Sequence, residues 1–137
     1  MNNKYKKYIE YIVNDIELPY LEYLNMYGLK QEEYKLILSK LYNQSVTIKD
    51  NSVYDINGNR IYYENSDGVW YKKEYDTNGN KIYYEDSDGN WIKNEYDING
   101  NNIYSENSDG TWYKKEYDAN DKEIYYENSY GIIEDNR

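Results

Sequence analysis

The side chains able to do chemistry in this 137-residue chain are mainly carboxylates and phenols: it holds 26 Asp and Glu and 22 Tyr, with no Cys and no His. That composition excludes thiolate nucleophiles, imidazole bases, disulfides and the common zinc and haem sites. Asp55-x-Asn57-Gly58-Asn59, repeated from Asp76 and Asp97 and in altered form from Asp118, supplies the oxygen donors that calcium takes. Its glycine is fourth rather than sixth, however, and a tight turn that caps its own backbone accounts for these residue types. Glu64 and Glu85 have the residue types of a glycosidase acid and base. Each has equivalents in the neighbouring sequence, whereas catalysis needs one asymmetric, desolvated site. No catalytic, cofactor or metal site is therefore expected.

The elements that must carry these residues divide near residue 50. All seven leucines lie before it, and the excess negative charge lies after it, where nine Lys and Arg face nineteen Asp and Glu. Residues 1–50 read as a helical module. Tyr5, Tyr8, Ile9, Ile12 and Ile16 fall on one helical face, Pro19 ends that helix, and a second over about 20–27 stops at Gly28. Tyr34, Ile37, Leu38 and Leu41 mark a third, with Glu32 and Glu33 in the first turn, where the helix dipole favours carboxylates. The last two helices have the outline of a helix-turn-helix with Gln31 to Tyr42 reading DNA. The charges on that helix cancel, though, and an acidic neighbour would repel phosphate, so direct nucleic-acid binding is not expected.

Residues 51–137 read as an acidic repeat sheet. From Tyr54 the chain repeats with a period of 21, in copies that start at Tyr54, Tyr75, Tyr96 and, in decayed form, Tyr117. Each copy holds two stretches rich in Tyr, Trp and Ile, which an Asn-Gly pair and an Asp-Gly pair separate in the first three copies; such pairs are strong hairpin signals. The expected fold class is α+β: an N-terminal three-helix module followed by a twisted, largely single-layer antiparallel β-meander of about eight strands.

An odd period requires one odd loop if successive repeats are to keep the same face. The simplest assignment is a two-residue turn at Asp67-Gly68 and a three-residue loop at Thr77-Asn78-Gly79, which sets each residue beside the one 21 positions on. Tyr62, Lys73, Tyr83, Asn94 and Tyr104 then share one face, and Tyr63, Lys72, Tyr84, Lys93 and Ser105 the other. Asp67, Asp88 and Asp109 line one margin of the sheet, and Asp76 and Asp97, with Asp55 and Asp118, line the opposite one, successive members of each row being two strands, about 9.5 Å, apart. Trp70, Trp91 and Trp112 fall on one face, either as partner anchors or as core beneath the helices.

The pattern Tyr-Asp-x-Asn-Gly-Asn, Ile-Tyr-Tyr-Glu, Asp-Gly-x-Trp resembles the YD repeats of the Rhs and teneurin type, over Tyr54 to Gly131. The resemblance implies consecutive hairpins; four copies are too few to close the shells that long arrays build. In overall character the chain is similar to small acidic phage anti-defence proteins, including anti-CRISPRs. That likeness implies a non-enzymatic inhibitor in the host cytoplasm whose partner is a basic, nucleic-acid-handling protein such as a CRISPR effector. Asp67, Asp88, Asp109, Asp76, Asp97, Trp70, Trp91 and Trp112 are the candidate contact residues. An immunity protein for one toxin and a carbohydrate-binding repeat are the alternatives, and a homodimer stays open. No segment approaches the roughly 20 apolar residues of a membrane span.

Overall fold

The structure, a computed structural model, describes residues 31–137. Ten strands follow one another in chain order as an antiparallel meander, and the chain divides after Trp70 into two compact units. The expected α+β class is corrected. The described residues are nearly all antiparallel β, with ten strands rather than about eight and a single helix of 12 residues. The first two helices of the expected three-helix module fall on residues outside those described.

The first unit contains α1 (Gln31–Tyr42), β1 (Thr47–Lys49), β2 (Ser52–Tyr54) and β3 (Arg60–Glu64). Asn43, with φ 53°, ends the helix: its N–H bonds the Lys40 carbonyl at 3.3 Å and the Gln44 N–H bonds that of Ser39 at 3.1 Å. This pair of bonds satisfies two carbonyls that the helix itself leaves open. α1 lies against β1, and Leu38, Val46, Ile48, Val53, Ile61 and Tyr62 form a buried core. β1 and β2, a hairpin in register Ile48↔Val53, lie at the break in composition and were not expected as strands. Each is only three residues long, too short for alternation to stand out.

The second unit holds β4 (Trp70–Tyr75, save its first residue), β5 (Lys81–Asp86), β6 (Trp91–Tyr96), β7 (Asn102–Asn107), β8 (Trp112–Tyr117), β9 (Glu123–Asn128) and β10 (Ile133–Asp135). No residue of 71–137 is buried; side chains on both faces are half-buried or exposed. Backbone ladders and side-chain pairs across the strands, each worth about 0.2 to 1 kcal/mol, stand in place of an aliphatic interior.

Both kinds of turn are three-residue loops, which corrects the two-residue turn expected at the Asp-Gly pairs. The N–H of Asp76 bonds the Asn80 carbonyl and that of Asp86 bonds the Asn90 carbonyl, each at 2.9 Å, so that Thr77-Asn78-Gly79 and Ser87-Asp88-Gly89 form the loops. Two such loops advance the pairing by an even number, and a bulge in each repeat restores the odd period. Between the pairs Glu74↔Tyr83 and Tyr75↔Lys81, Ile82 has no residue opposite it; Ile103 and Ile124 stand in the same way in β7 and β9.

The rows across the sheet differ accordingly from those expected. Glu74, Tyr83, Lys93 and Glu106 lie side by side, as do Glu95, Tyr104, Lys114 and Glu127. Repeat-equivalent residues such as Tyr83 and Tyr104 share a face but sit two positions apart along the strand. Lys93 and Lys114 thus join the face of Tyr83 and Tyr104, whereas Lys73, Asn94 and Lys115 lie on the face of Tyr84 and Tyr126.

Candidate interaction surface

The two margins of the second unit differ in what their aspartates do. Asp76 Oδ1 accepts the N–H groups of Asn78 and Asn80, each at 2.9 Å, while Oδ2 accepts the Asn80 amide at 3.2 Å. Asp97 repeats this with Asn99 and Asn101. The N–H groups, with the Asn80 and Asn101 backbones foremost, hold both carboxyls below the usual carboxylate range. These aspartates bind their own loops.

On the opposite margin that capping role falls to Asp86, Asn107 and Asn128, and the following Asp88 and Asp109 stand at the exposed loop tips. Asp109 accepts the Thr111 hydroxyl at 2.7 Å and its N–H at 2.8 Å, and both bonds lower its pKa. Asp67 occupies the equivalent tip in the first unit, its N–H donating to Asn65 Oδ1 at 2.9 Å.

The two faces differ in charge. One carries Glu74, Glu85, Glu95, Glu106, Glu116, Glu127 and Asp135 against Lys72, Lys93, Lys114 and Arg137. Its tyrosines are tied to its glutamates two positions on: the Tyr83 hydroxyl donates to Glu85 at 3.2 Å, Tyr104 to Glu106 at 2.9 Å and Tyr125 to Glu127 at 2.9 Å. Those bonds and partial burial raise all three phenol pKa values, with burial the first cause at Tyr83 and the hydrogen bond at Tyr104 and Tyr125.

Trp91 and Trp112 share this face. Lys93 Nζ stands 4.9 Å from the first ring and Lys114 Nζ 5.3 Å from the second. Both rings are half-buried, and Trp70 is half-buried at the start of β4. Of the N-terminal helices expected to cover these rings, the first two fall on residues outside those described, and α1 lies against β1. On the face of Trp91 and Trp112 a depression of about 630 Å³ is lined by Glu74, Asp76, Ile82, Tyr83, Lys93, Glu95, Tyr104 and Glu106 among others, and so reaches the margin that Asp76 caps.

The other face is balanced, with Lys73, Lys81 and Lys115 against Asp86, Glu123 and Glu134. Tyr71 and Tyr84 stack at 6.1 Å with Lys73 4.9 Å from the Tyr71 ring, and Tyr113 and Tyr126 stack at 6.2 Å with Lys115 over both. In the hairpin between them, Ile92, Asn94 and Ser105 replace all three members of the Tyr-Lys-Tyr set.

Glu64 is buried in the first unit, whereas Glu85 pairs with Lys72 at 3.0 Å in the second. Among the described residues no cluster of three or more carboxylates is arranged to hold a metal ion, and no helix is long and apolar enough to cross a membrane. Sequence reasoning placed the acidic rows on the margins and missed the glutamates of the face. The signal was present as Tyr and Glu two positions apart in each Ile-Tyr-Tyr-Glu or Ile-Tyr-Ser-Glu stretch. No protein-family model and no curated protein matches the chain.

Proposed function

We propose that this protein is a non-enzymatic, stoichiometric inhibitor that sets an acidic surface into the basic groove of a nucleic-acid-handling protein. It works in the host cytoplasm in the manner of phage anti-defence proteins, of which an anti-CRISPR is the concrete form. The observation that carries this proposal is the face with seven carboxylates against four cations, in a unit that buries none of its residues. An exposed, ordered acidic field steers a basic partner into contact and favours it over neutral ones.

The repeats resemble YD repeats and serve here as the scaffold that orders the charge. The test is capture of partners on the immobilised protein from cells of the host, washed at rising salt. A DNA- or RNA-handling protein that elutes as salt rises is the expected result. A small toxin that resists salt would replace this function with immunity. Quenching of the tryptophans by glycans, with no protein captured, would replace it with carbohydrate binding.

A further inference from the structure

Within the acidic face the charge is not evenly answered. Around the depression, Glu74, Glu95 and Glu106, with Asp76 at its edge, face one cation, Lys93, whose ammonium lies 4.9 Å from the Trp91 ring. The rings of Tyr83 and Tyr104 also line it, with Ile82 supplying an apolar contribution. Tyr104 lies directly opposite Glu95 in the ladder, so the two side chains stand side by side on this face.

Carboxylates in excess beside aromatic rings match one side chain best. Arginine has a planar, weakly hydrated guanidinium that stacks on a tyrosine ring while its N–H fork bonds a carboxylate, whereas the compact ammonium of lysine is more strongly hydrated. We infer that this depression on the acidic face, rather than the margin of Asp67, Asp88 and Asp109, is where an arginine side chain of the basic partner seats, between Tyr83 and Tyr104 and against Glu95 and Glu106. The inference rests on the function proposed above and names the chemistry that its partner presents.

The test uses the whole protein and two synthetic probes, hexa-arginine and hexalysine, with binding followed by calorimetry at low salt. Hexa-arginine is expected to bind more tightly. Glu95→Gln with Glu106→Gln should weaken it by about tenfold, the loss of charge-assisted bonds. Asp88→Asn with Asp109→Asn should change it by less than about twofold, as screened surface charges do. Tyr104→Leu should abolish the preference for arginine over lysine without altering charge. Far-UV circular dichroism of each variant identifies one that has lost its sheet, and Glu95→Gln alone then substitutes for a double variant that has done so.

Equal binding of the two peptides, or a greater loss from the margin variant than from the face variant, overturns the inference. The captured partner separates this result from the function itself. If a basic nucleic-acid-handling protein is captured equally by the wild type and by the Glu95→Gln, Glu106→Gln variant, the seat is overturned and the function stands. If no such protein is captured but hexa-arginine behaves as expected, the function fails and the seat stands.

Discussion

Gly100 has φ 86°, and a Cβ added there would meet nothing within 4 Å. The cost of Gly100→Ala is therefore backbone strain alone, about 1 to 2 kcal/mol, to be read from chemical denaturation. Asp121, at the equivalent place in the last repeat, already adopts φ 61°. Gly100→Asp should accordingly cost less than Gly100→Ala, since aspartate tolerates that conformation better than alanine. Burial sets the other limit on single residues. Leu38, fully buried in the first unit, should lose about 2 to 5 kcal/mol on change to Ala, whereas Ile92, 37% exposed in the second, should lose less than about 1 kcal/mol.

The loop aspartates add a pH dependence. The folded pKa values of Asp76, Asp97, Asp109 and Asp118 are lowered, chiefly by backbone N–H donors at Asp76, Asp97 and Asp118 and by the Thr111 hydroxyl at Asp109. Their contribution is complete above the unfolded carboxylate value of about 4 and is lost as pH falls through the lower folded values. The thermal midpoint should hold from neutral pH to about pH 5 and fall below about pH 4. Asp97→Asn, which keeps an acceptor oxygen without the charge, should flatten part of that fall.

At the scale of the element, the hairpin is the unit of change. The middle hairpin of the second unit differs from its neighbours at three positions that touch in those neighbours, Ile92, Asn94 and Ser105 in place of Tyr, Lys and Tyr. Restoring all three at once should stabilise the sheet by about 1 kcal/mol, while the single changes Asn94→Lys and Ser105→Tyr should give less than their share. A double-mutant cycle at those two positions measures the coupling.

The hairpins were legible because Tyr, Trp and Ile cluster between Gly-containing turns, and α1 was legible from its apolar spacing and acidic first turn. The loop length was not. Asn-Gly and Asp-Gly pairs occur in two-residue and three-residue loops alike, and only the Asp or Asn three positions before each glycine, which caps the loop, tells them apart. The bulge was hidden for a related reason. Ile82 reads as an ordinary strand residue, and its lack of a residue opposite follows only once both loops are known to be odd. That one residue moved the lysines to the other face and carried the glutamates of the acidic face with them. Sequence reasoning consequently drew its acidic rows along the margins and not across this face.

At the scale of the whole chain, two units depend on different forces. The first encloses a small apolar core, and the second has ladders and paired side chains on both faces. Burial of apolar surface governs the heat capacity of unfolding, so calorimetry should find a lower value per residue than the roughly 12 to 15 cal/mol/K of ordinary domains. Binding of the proposed partner should weaken steeply between low and physiological salt, because the charges that meet it are exposed rather than enclosed.

The isoleucine bulge has a consequence for how such a chain changes length. Since each 21-residue block corrects its own parity, a recombination event that duplicates or deletes a whole block joins sequences whose faces already agree. Removing residues 97–117 would join Tyr96 to Asp118 at a seam the chain already contains at Tyr75-Asp76. The number of blocks is thus a heritable variable separate from the identity of each face, and a lineage can lengthen or shorten the sheet before any single side chain has changed.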